Sequence, residues 1–479
     1  MTRALFVFEA RRLLRHPLVW GASVLVAALQ VHLSAGQTPD LTIDPVHATG
    51  LFTCLGAAVL VVASLAASRE GRHAMPEGLA ALPGGAEHRT RALLLAAPLV
   101  AGLAAALAMG GYLAIRLLAG PAGGRLDVAE PLTAVAVAVL AATLGVAVGR
   151  WARWLIAGPI VVAVLGYLIF TNPANGQAGW LLPVMQEHRP DWPQRPSQLH
   201  LVYVLVVAVL FAALALLRNR LRPVPAVAAL VAVGVAVPAG AAAVSTPPPA
   251  RMPVRVELTL AHVDARVRAR YFGPDAYRCA VRQGVTYCAF AGYEPWIPLW
   301  EQAVGPVVAA LPAARRAQAP VVRQASPTWR HTADPTAVEA PMSWGHPDQR
   351  RILAEDVAFW ASGLRDAAVR GFDGRRDRLC DVRGQARTVV ALWLVGQVAP
   401  PEARRELHVD RYLGRLTSLD WGPAEIAYAK ALLAAPGARA KVLAHWDTLM
   451  KPATTVAQAL PLLGLRPGPD APLGAAPCR

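Results

Sequence analysis

The residues of this chain most able to do covalent chemistry are Cys279, Cys288, Cys380 and Cys478, which lie together in the C-terminal half, whereas the fifth cysteine, Cys54, sits inside an apolar run. An even set of cysteines in a water-soluble stretch points to disulfides and an oxidising compartment. Cys279 and Cys288 bracket RCAVRQGVTYCAF, which reads as a hairpin or tight loop with Gly284 near its turn. A bridge there would stabilise the loop by roughly 2–3 kcal/mol on chain-entropy arithmetic. Four cysteines allow three connectivities. We favour Cys279 with Cys288 and Cys380 with Cys478, because this choice closes the short loop first. Zinc is the rival ligand, but no two of the four have the close spacing of a zinc knuckle.

Other catalytic groupings are weak. His-Glu-x-x-His is absent, which removes the commonest zinc-peptidase motif. Ser343, His346 and Asp348 could be drawn as a triad, but Pro341 stands where a nucleophile elbow would have glycine. A solvated loop is the better reading, and His331 with Asp334 is no stronger. Trp296, Trp300, Trp360, Trp393 and Trp446 sit at helical spacing and read as core rather than as a binding box. No Gly-Lys-Ser/Thr phosphate loop exists, since the only lysines are Lys430, Lys441 and Lys451 and none follows a glycine. The chain cannot hydrolyse ATP by that route, and we expect neither enzyme activity nor a cofactor.

The elements around these residues divide the chain in two. Hydrophobic residues make up 55% of the 479, charged residues 16%, and mean hydropathy is +0.38, which together indicate an integral membrane protein with room for a second domain. The net charge of +16 comes from short arginine clusters between apolar runs, a pattern of membrane topology rather than of nucleic-acid binding. A bilayer core about 30 Å thick needs roughly 20 apolar helical residues. Seven candidate runs occur: Leu18 to Leu33, Leu51 to Ala67, Ala92 to Ala119, Leu132 to Gly149, Trp154 to Phe170, Leu201 to Leu217 and Val224 to Val244. The fifth is among the shortest, and the last leads into a proline-rich hinge, Ser245 to Pro249.

Arginine counts orient these runs. Arg3, Arg11, Arg12 and Arg15 precede the first; Arg69, Arg72, Arg89 and Arg91 separate the second from the third; Arg150 and Arg153, then Arg218, Arg220 and Arg222, mark later connections. The alternate loops carry few, so the N-terminus is expected in the cytoplasm. Seven crossings then place residues 250–479 outside. A cleaved leader ending near Leu33-Ser34-Ala35 is an alternative, although Glu9 and the segment's length argue against it. None of the seven runs contains Asp or Glu, which argues against a proton antiporter. Arg116, near the outer end of the third run, reads as snorkelling to the headgroups, with a grip on an anionic substrate as the alternative.

Thr2 to Pro17 has the composition of an amphipathic surface helix, with Leu5, Phe6, Phe8, Leu13 and Leu14 against four arginines. Ser68 to Ala92 is the long connection on the same side. There Pro76 can start a short helix, Glu77 suits its N-terminal end, Leu79 and Leu82 supply apolar contact, and Pro83-Gly84-Gly85 stops it. The stretches Leu5 to Pro17, Arg69-Glu70, Glu77-Gly78-Leu79, Leu82-Pro83 and Arg89-Thr90 resemble the permease subunits of type-2 ABC exporters over about the first 220 residues. Such permeases open with a surface helix and carry a coupling segment between their second and third spans. Trp180-Leu181-Leu182-Pro183-Val184-Met185 stands where they place short inserted helices. The resemblance implies a separate cytoplasmic ATPase docking near Arg11, Arg12, Glu70 and Glu77. It also implies a homodimer or paired permease. A seventh span and a large outer domain depart from the family's pattern. The alternative is a membrane-anchored extracytoplasmic binding or sensing protein whose spans serve as a mount.

Beyond the hinge, Val254 to Leu260 and Val267 to Tyr271 alternate as strands, Val285 to Phe290 continues that character, and Trp296 to Leu311 reads as a helix. From Asp348 the spacing becomes helical through Leu353, Val357, Trp360 and Leu364, then Val389 with Trp393, then Val442, Leu443, Trp446 and Met450. The expected architecture is a polytopic α-helical bundle of about seven spans, residues 18–223 with a seventh at 224–249, followed by a mixed α/β, mostly helical extracytoplasmic domain.

Overall fold

Residues 17 and 98, both prolines, show how this sequence sets its helix ends. Pro17 lacks an N–H and cannot continue a helix begun upstream, yet its fixed φ suits a first helical position. In the computed structural model α1 (Thr2–Leu14) accordingly stops and α2 (Pro17–Leu33) starts there, with a bend of 50° between them. His16 Nδ1 accepts the Leu18 N–H, and the Trp20 indole donates to the Leu14 carbonyl, so both sides of the bend are tied. Pro98, by contrast, lies inside a long helix that continues through it. The structure describes residues 2–72, 85–152, 154–171, 176–184, 195–218, 221–245, 276–325, 336–341, 344–345, 347–364, 380–402 and 419–474.

The chain forms two compact units, Met1–Ala35 with Pro39–Arg251, and Gly36–Thr38 with Met252–Arg479. The first is helical. After α2 come α3 (Asp44–Arg72), α4 (Ala86–Leu118), α5 (Ala129–Trp151), α6 (Ala157–Phe170), α7 (Ser197–Leu217) and α8 (Pro223–Ser245). Five of these, α3, α4, α5, α7 and α8, are long and apolar enough to cross a membrane, and a sixth span is available if α1 and α2 act as one. At 14 residues, α6 rises about 21 Å, less than the hydrocarbon thickness of about 30 Å. Of the seven expected spans, five or six are thus matched by helices of full length among the described residues, and the fifth run corresponds to α6, a shorter apolar helix.

Side-chain size decides the centre of this unit. Ala and Gly on α3, α4 and α5 let helices approach closely, and small-residue interfaces are how helices associate where apolar burial alone gives no preference. In α5, 72% of the apolar window is buried, against 22% in α8. A Cβ on Gly145 would sit 2.4 Å from the Leu60 carbonyl oxygen, and one on Gly149 2.3 Å from that of Ser64. Only glycine allows α5 to lie this close to the α3 backbone.

Helix directions follow from the polar contacts at the ends. Glu9 of α1 pairs with Arg69 at the end of α3, and Glu87 at the start of α4 pairs with Arg222 just before α8. This is the α1 end. At the far end, Asp44 starting α3 pairs with Arg116 finishing α4, and Glu130 starting α5 accepts from Ser197 starting α7. The Trp151 indole, at the other end of α5, donates to Leu214 near the end of α7. So α5 and α7 run in the same direction. In the chain, α6 lies between them.

The second unit has its own core. β1 (Tyr277–Arg282) and β2 (Val285–Phe290) form an antiparallel hairpin, and β3 (Val321–Gln324) and β4 (Ala337–Ala340) add in parallel, in spatial order β1-β2-β3-β4. Gln283 and Gly284 both have positive φ (49° and 78°), as a two-residue type I′ turn requires. Between β2 and β3 runs α9 (Ile297–Ala309), which buries Trp300, Val304 and Val307. Next come α10 (Ala313–Arg316), α11 (Pro347–Ala361), β5 (Cys380–Asp381), α12 (Ala386–Val395), β6 (Leu419–Asp420), α13 (Pro423–Ala434), α14 (Ala438–Ala444), α15 (Trp446–Leu449) and α16 (Val456–Leu463). The helical spacing at Leu353, Val357 and Leu364 corresponds to buried positions, and Trp296, Trp300, Trp393 and Trp446 are core. Trp360 is only partly buried, under Arg315. In the last stretch Leu449, rather than Met450, is the fully buried residue. The strands expected at 254–260 and 267–271 lie outside the described residues.

Candidate functional site

At the α1 end, sequence dictates an amphipathic helix and the fold shows which face is used. Phe6, Ala10 and Leu13, spaced by four and three residues, pack on the bundle, whereas Phe8 is 57% exposed and Leu14 38%. Arg3, Arg11 and Arg12 are exposed on α1, and Arg15 is exposed just after it. Glu9 turns inward to Arg69 at 2.7 Å. Its Oε1 takes that bond, while its buried Oε2 has no partner among the described residues. The expected docking residues Arg11 and Arg12 are exposed on the same helix. Glu70 lies on α3 with its side chain outside the described residues, as does all of Glu77.

The far end holds polar groups that the hydropathy pattern did not reveal. Helix α3 begins at Asp44, seven residues before its apolar run, because Asp40 organises the preceding turn: its Oδ1 accepts the Thr42 N–H at 2.9 Å and its carbonyl accepts the Asp44 N–H at 2.8 Å. That start brings the Asp44 carboxylate to Arg116 Nε at 2.8 Å, and Arg116 Nη1 donates to the Ser34 carbonyl at 3.0 Å. Arg116 is 3% exposed. The snorkelling reading is thus corrected: the guanidinium is held inward by a carboxylate 72 positions away and by the end of α2. A buried ion on a span is expected to be paired in this manner.

A second pair lies beside it. Glu130, 6% exposed, accepts from Arg195 Nε and from Ser197 Oγ, each at 2.6 Å. The Arg195 guanidinium stands 5.0 Å from the centre of the Trp180 ring. Trp180 belongs to a short 3-10 turn, Gly176–Leu181, whose C-terminal end is caught by α7: Tyr203 donates to the Leu181 carbonyl, and His200 Nε2 lies 2.9 Å from the oxygen of Leu182, the next residue. Trp180 and Ala243 of α8 form a small buried cluster. The Trp180 to Val184 part of the expected inserted segment is therefore a structural plug joining α5, α7 and α8; Met185 lies outside the described residues. The signals for this end were single residues, Asp44, Glu130 and Arg195, next to apolar runs.

In the second unit, Cys279 and Cys288 are disulfide-bonded and stand opposite one another in the β1–β2 register. The Cys380 side chain and Cys478 lie outside the described residues, so the second expected bridge does too. Cys54 is a free thiol. Asp348 pairs with Arg351 at 3.1 Å, while Ser343, His346, His331 and Asp334 are outside the described residues. Among the described residues, no group of three His, Cys, Asp or Glu side chains is placed to hold a metal ion. Burial pushes the Tyr287 phenol above the ordinary tyrosine range, and its hydroxyl has no hydrogen-bond partner among the described residues. No protein-family model, curated protein or solved structure matches the chain.

Proposed function

We propose that this chain is the membrane-spanning permease subunit of an ATP-driven export system of the ABC type, paired with a second permease and powered by a separate cytoplasmic ATPase. The observation that carries the reading is the α1 end. A surface helix bent 50° from the first span is locked by Glu9–Arg69 to the point where the chain leaves α3 for the α3–α4 connection. A protein pressing on Arg11 and Arg12 would also press on the ends of α3 and α4. Glu70 and Glu77 complete the proposed docking surface.

The arginine bias assigns the α1 end to the cytoplasm of a multi-pass cell-membrane protein. Because α8 ends beside Trp180, at the far end, residue 246 onward would then emerge outside. The Cys279–Cys288 bridge supports an oxidising environment there. The second reading, an anchored extracytoplasmic binding or sensing module, is favoured by the separate hydrophobic core of the second unit.

The test is purification from native membranes in mild detergent, followed by mass spectrometry of what accompanies the chain. A P-loop ATPase that is lost from Glu70→Lys/Glu77→Lys protein supports the permease. Recovery without any ATPase in several gentle detergents refutes it in favour of the anchored module.

A further inference from the structure

We infer that the groove between α7 and α8 holds one acyl chain of an anionic phospholipid, with its phosphate at Arg218 and Arg222. The groove is open along its length, with a volume of about 530 Å³, and every residue lining it is Val, Ala or Pro. That volume lies within the range of about 300–1,000 Å³ that holds small ligands. Val224, Val227, Val231 and Val235 recur at three- and four-residue intervals and so form one stripe of α8, facing Val206 and Val209 of α7. Short branched side chains at these positions cannot fill the space between the two helices as leucines would.

Position and charge select the occupant. From Pro223 to Val235 the helix rises about 18 Å, close to half of a hydrocarbon core of about 30 Å, so the groove has the depth of a single leaflet. It lies on the least buried of the candidate spans, where lipid is the surrounding solvent. Its mouth, at Pro223, adjoins Arg222 in the chain, and Arg218 begins the same turn with its guanidinium 5.6 Å from the Trp151 ring centre. Glu87 faces both Arg91 (2.6 Å) and Arg222 (3.0 Å), one carboxylate against two guanidinium groups. Positive charge therefore remains at the mouth. Basic pockets between spans favour anionic headgroups, and two arginines are worth about tenfold or more over a zwitterionic lipid. This inference needs unit 1 to lie in a bilayer, not the export reading.

The experiment uses the full chain, purified in mild detergent, stripped of lipid by exchange and incubated with equal amounts of dioleoyl phosphatidylglycerol and dioleoyl phosphatidylcholine. Native mass spectrometry counts what is retained. The expected result is one phosphatidylglycerol per chain, preferred about tenfold. Arg218→Gln/Arg222→Gln should bring the ratio towards one, and Val227→Phe/Val231→Phe should remove bound lipid of both classes while helix content is kept. Equal retention of both lipids by the unaltered chain overturns the inference. So does full retention by the filled variant, or efficient cross-linking of Val227→Cys to a second copy in native membranes, which would seat protein in the groove. The arginine arm removes only surface contacts, Arg222 with Glu87 and Arg218 with the Trp151 ring, and stands even if the filled variant does not fold.

Discussion

Breaking the Asp44–Arg116 pair should cost far more than losing an ordinary hydrogen bond between spans. The two side chains are 9% and 4% exposed and meet at 2.8 Å. With charge centres about 4 Å apart, the attraction is about 4 kcal/mol at an effective dielectric constant of about 20. Removing one member of a buried pair leaves an uncompensated ion and typically costs about 3–5 kcal/mol. Arg116→Met should therefore destabilise by that amount, because Asp44 then keeps its charge without its guanidinium. Asp44→Asn should also destabilise, since Arg116 loses the carboxylate that meets it at 2.8 Å. The double variant removes both ions and should be less destabilised than the sum by at least about 2 kcal/mol. Interhelical hydrogen bonds in membranes give couplings of only about 0.6 kcal/mol on average, so the two interpretations separate cleanly. The assay is equilibrium unfolding of the full chain in mixed micelles, followed by tryptophan fluorescence for the four members of the cycle. A coupling below about 1 kcal/mol would refute the claim that these charges are desolvated and mutually dependent.

Gly145→Ala and Gly149→Ala place a methyl about 2.4 and 2.3 Å from α3 carbonyl oxygens, so each should destabilise by about 1–3 kcal/mol. Gly166→Ala in α6, with nothing within 4 Å, should leave the same unfolding curve unchanged or gain up to about 1 kcal/mol. Replacing Cys279 and Cys288 together by alanine should lower the stability of the second unit by about 2–3 kcal/mol, read from its thermal transition. Non-reducing digestion of the unaltered chain should yield the two cysteines in one linked pair of peptides. Tyr287→Phe should be neutral or stabilising in thermal unfolding, because it removes a buried hydroxyl without a partner among the described residues; a loss above about 1 kcal/mol would contradict this. Because the Tyr287 phenol titrates above the ordinary range, the unfolded chain loses its proton first as pH rises. Its contribution is thus constant below about pH 10 and falls above it, which absorbance at 295 nm can follow as a late-ionising tyrosine.

Runs of apolar residues report burial in lipid through local composition alone, so α4, α5, α7 and α8 were legible with ends displaced by only a few residues. The α3 start was not. Its extra turns depend on Asp40 capping the preceding loop and on the Asp44 carboxylate reaching Arg116, a partner that belongs to another helix. Arg116 itself was misread for the same reason: snorkelling is the default of an arginine whose partner cannot be seen. Gly145 and Gly149 were present in the sequence as Gly-Val-Ala-Val-Gly, yet they look like any apolar stretch until the α3 backbone is brought against them.

By itself, the sequence determined that this is a bundle of apolar helices long enough to cross a membrane, joined to a separately folded region, and it pointed to Cys279 and Cys288 closing a hairpin across Gly284. Those properties follow from side-chain transfer free energies and turn geometry, which act over a few residues. Tertiary structure alone decided that Glu9 locks to Arg69, that Arg116 and Arg195 are inward-facing ions with carboxylate partners, and that valines on α7 and α8 leave a groove. Each of these joins residues distant in the chain. A contact between distant positions exists only once the helices between them have directions and registers, and no local composition encodes those.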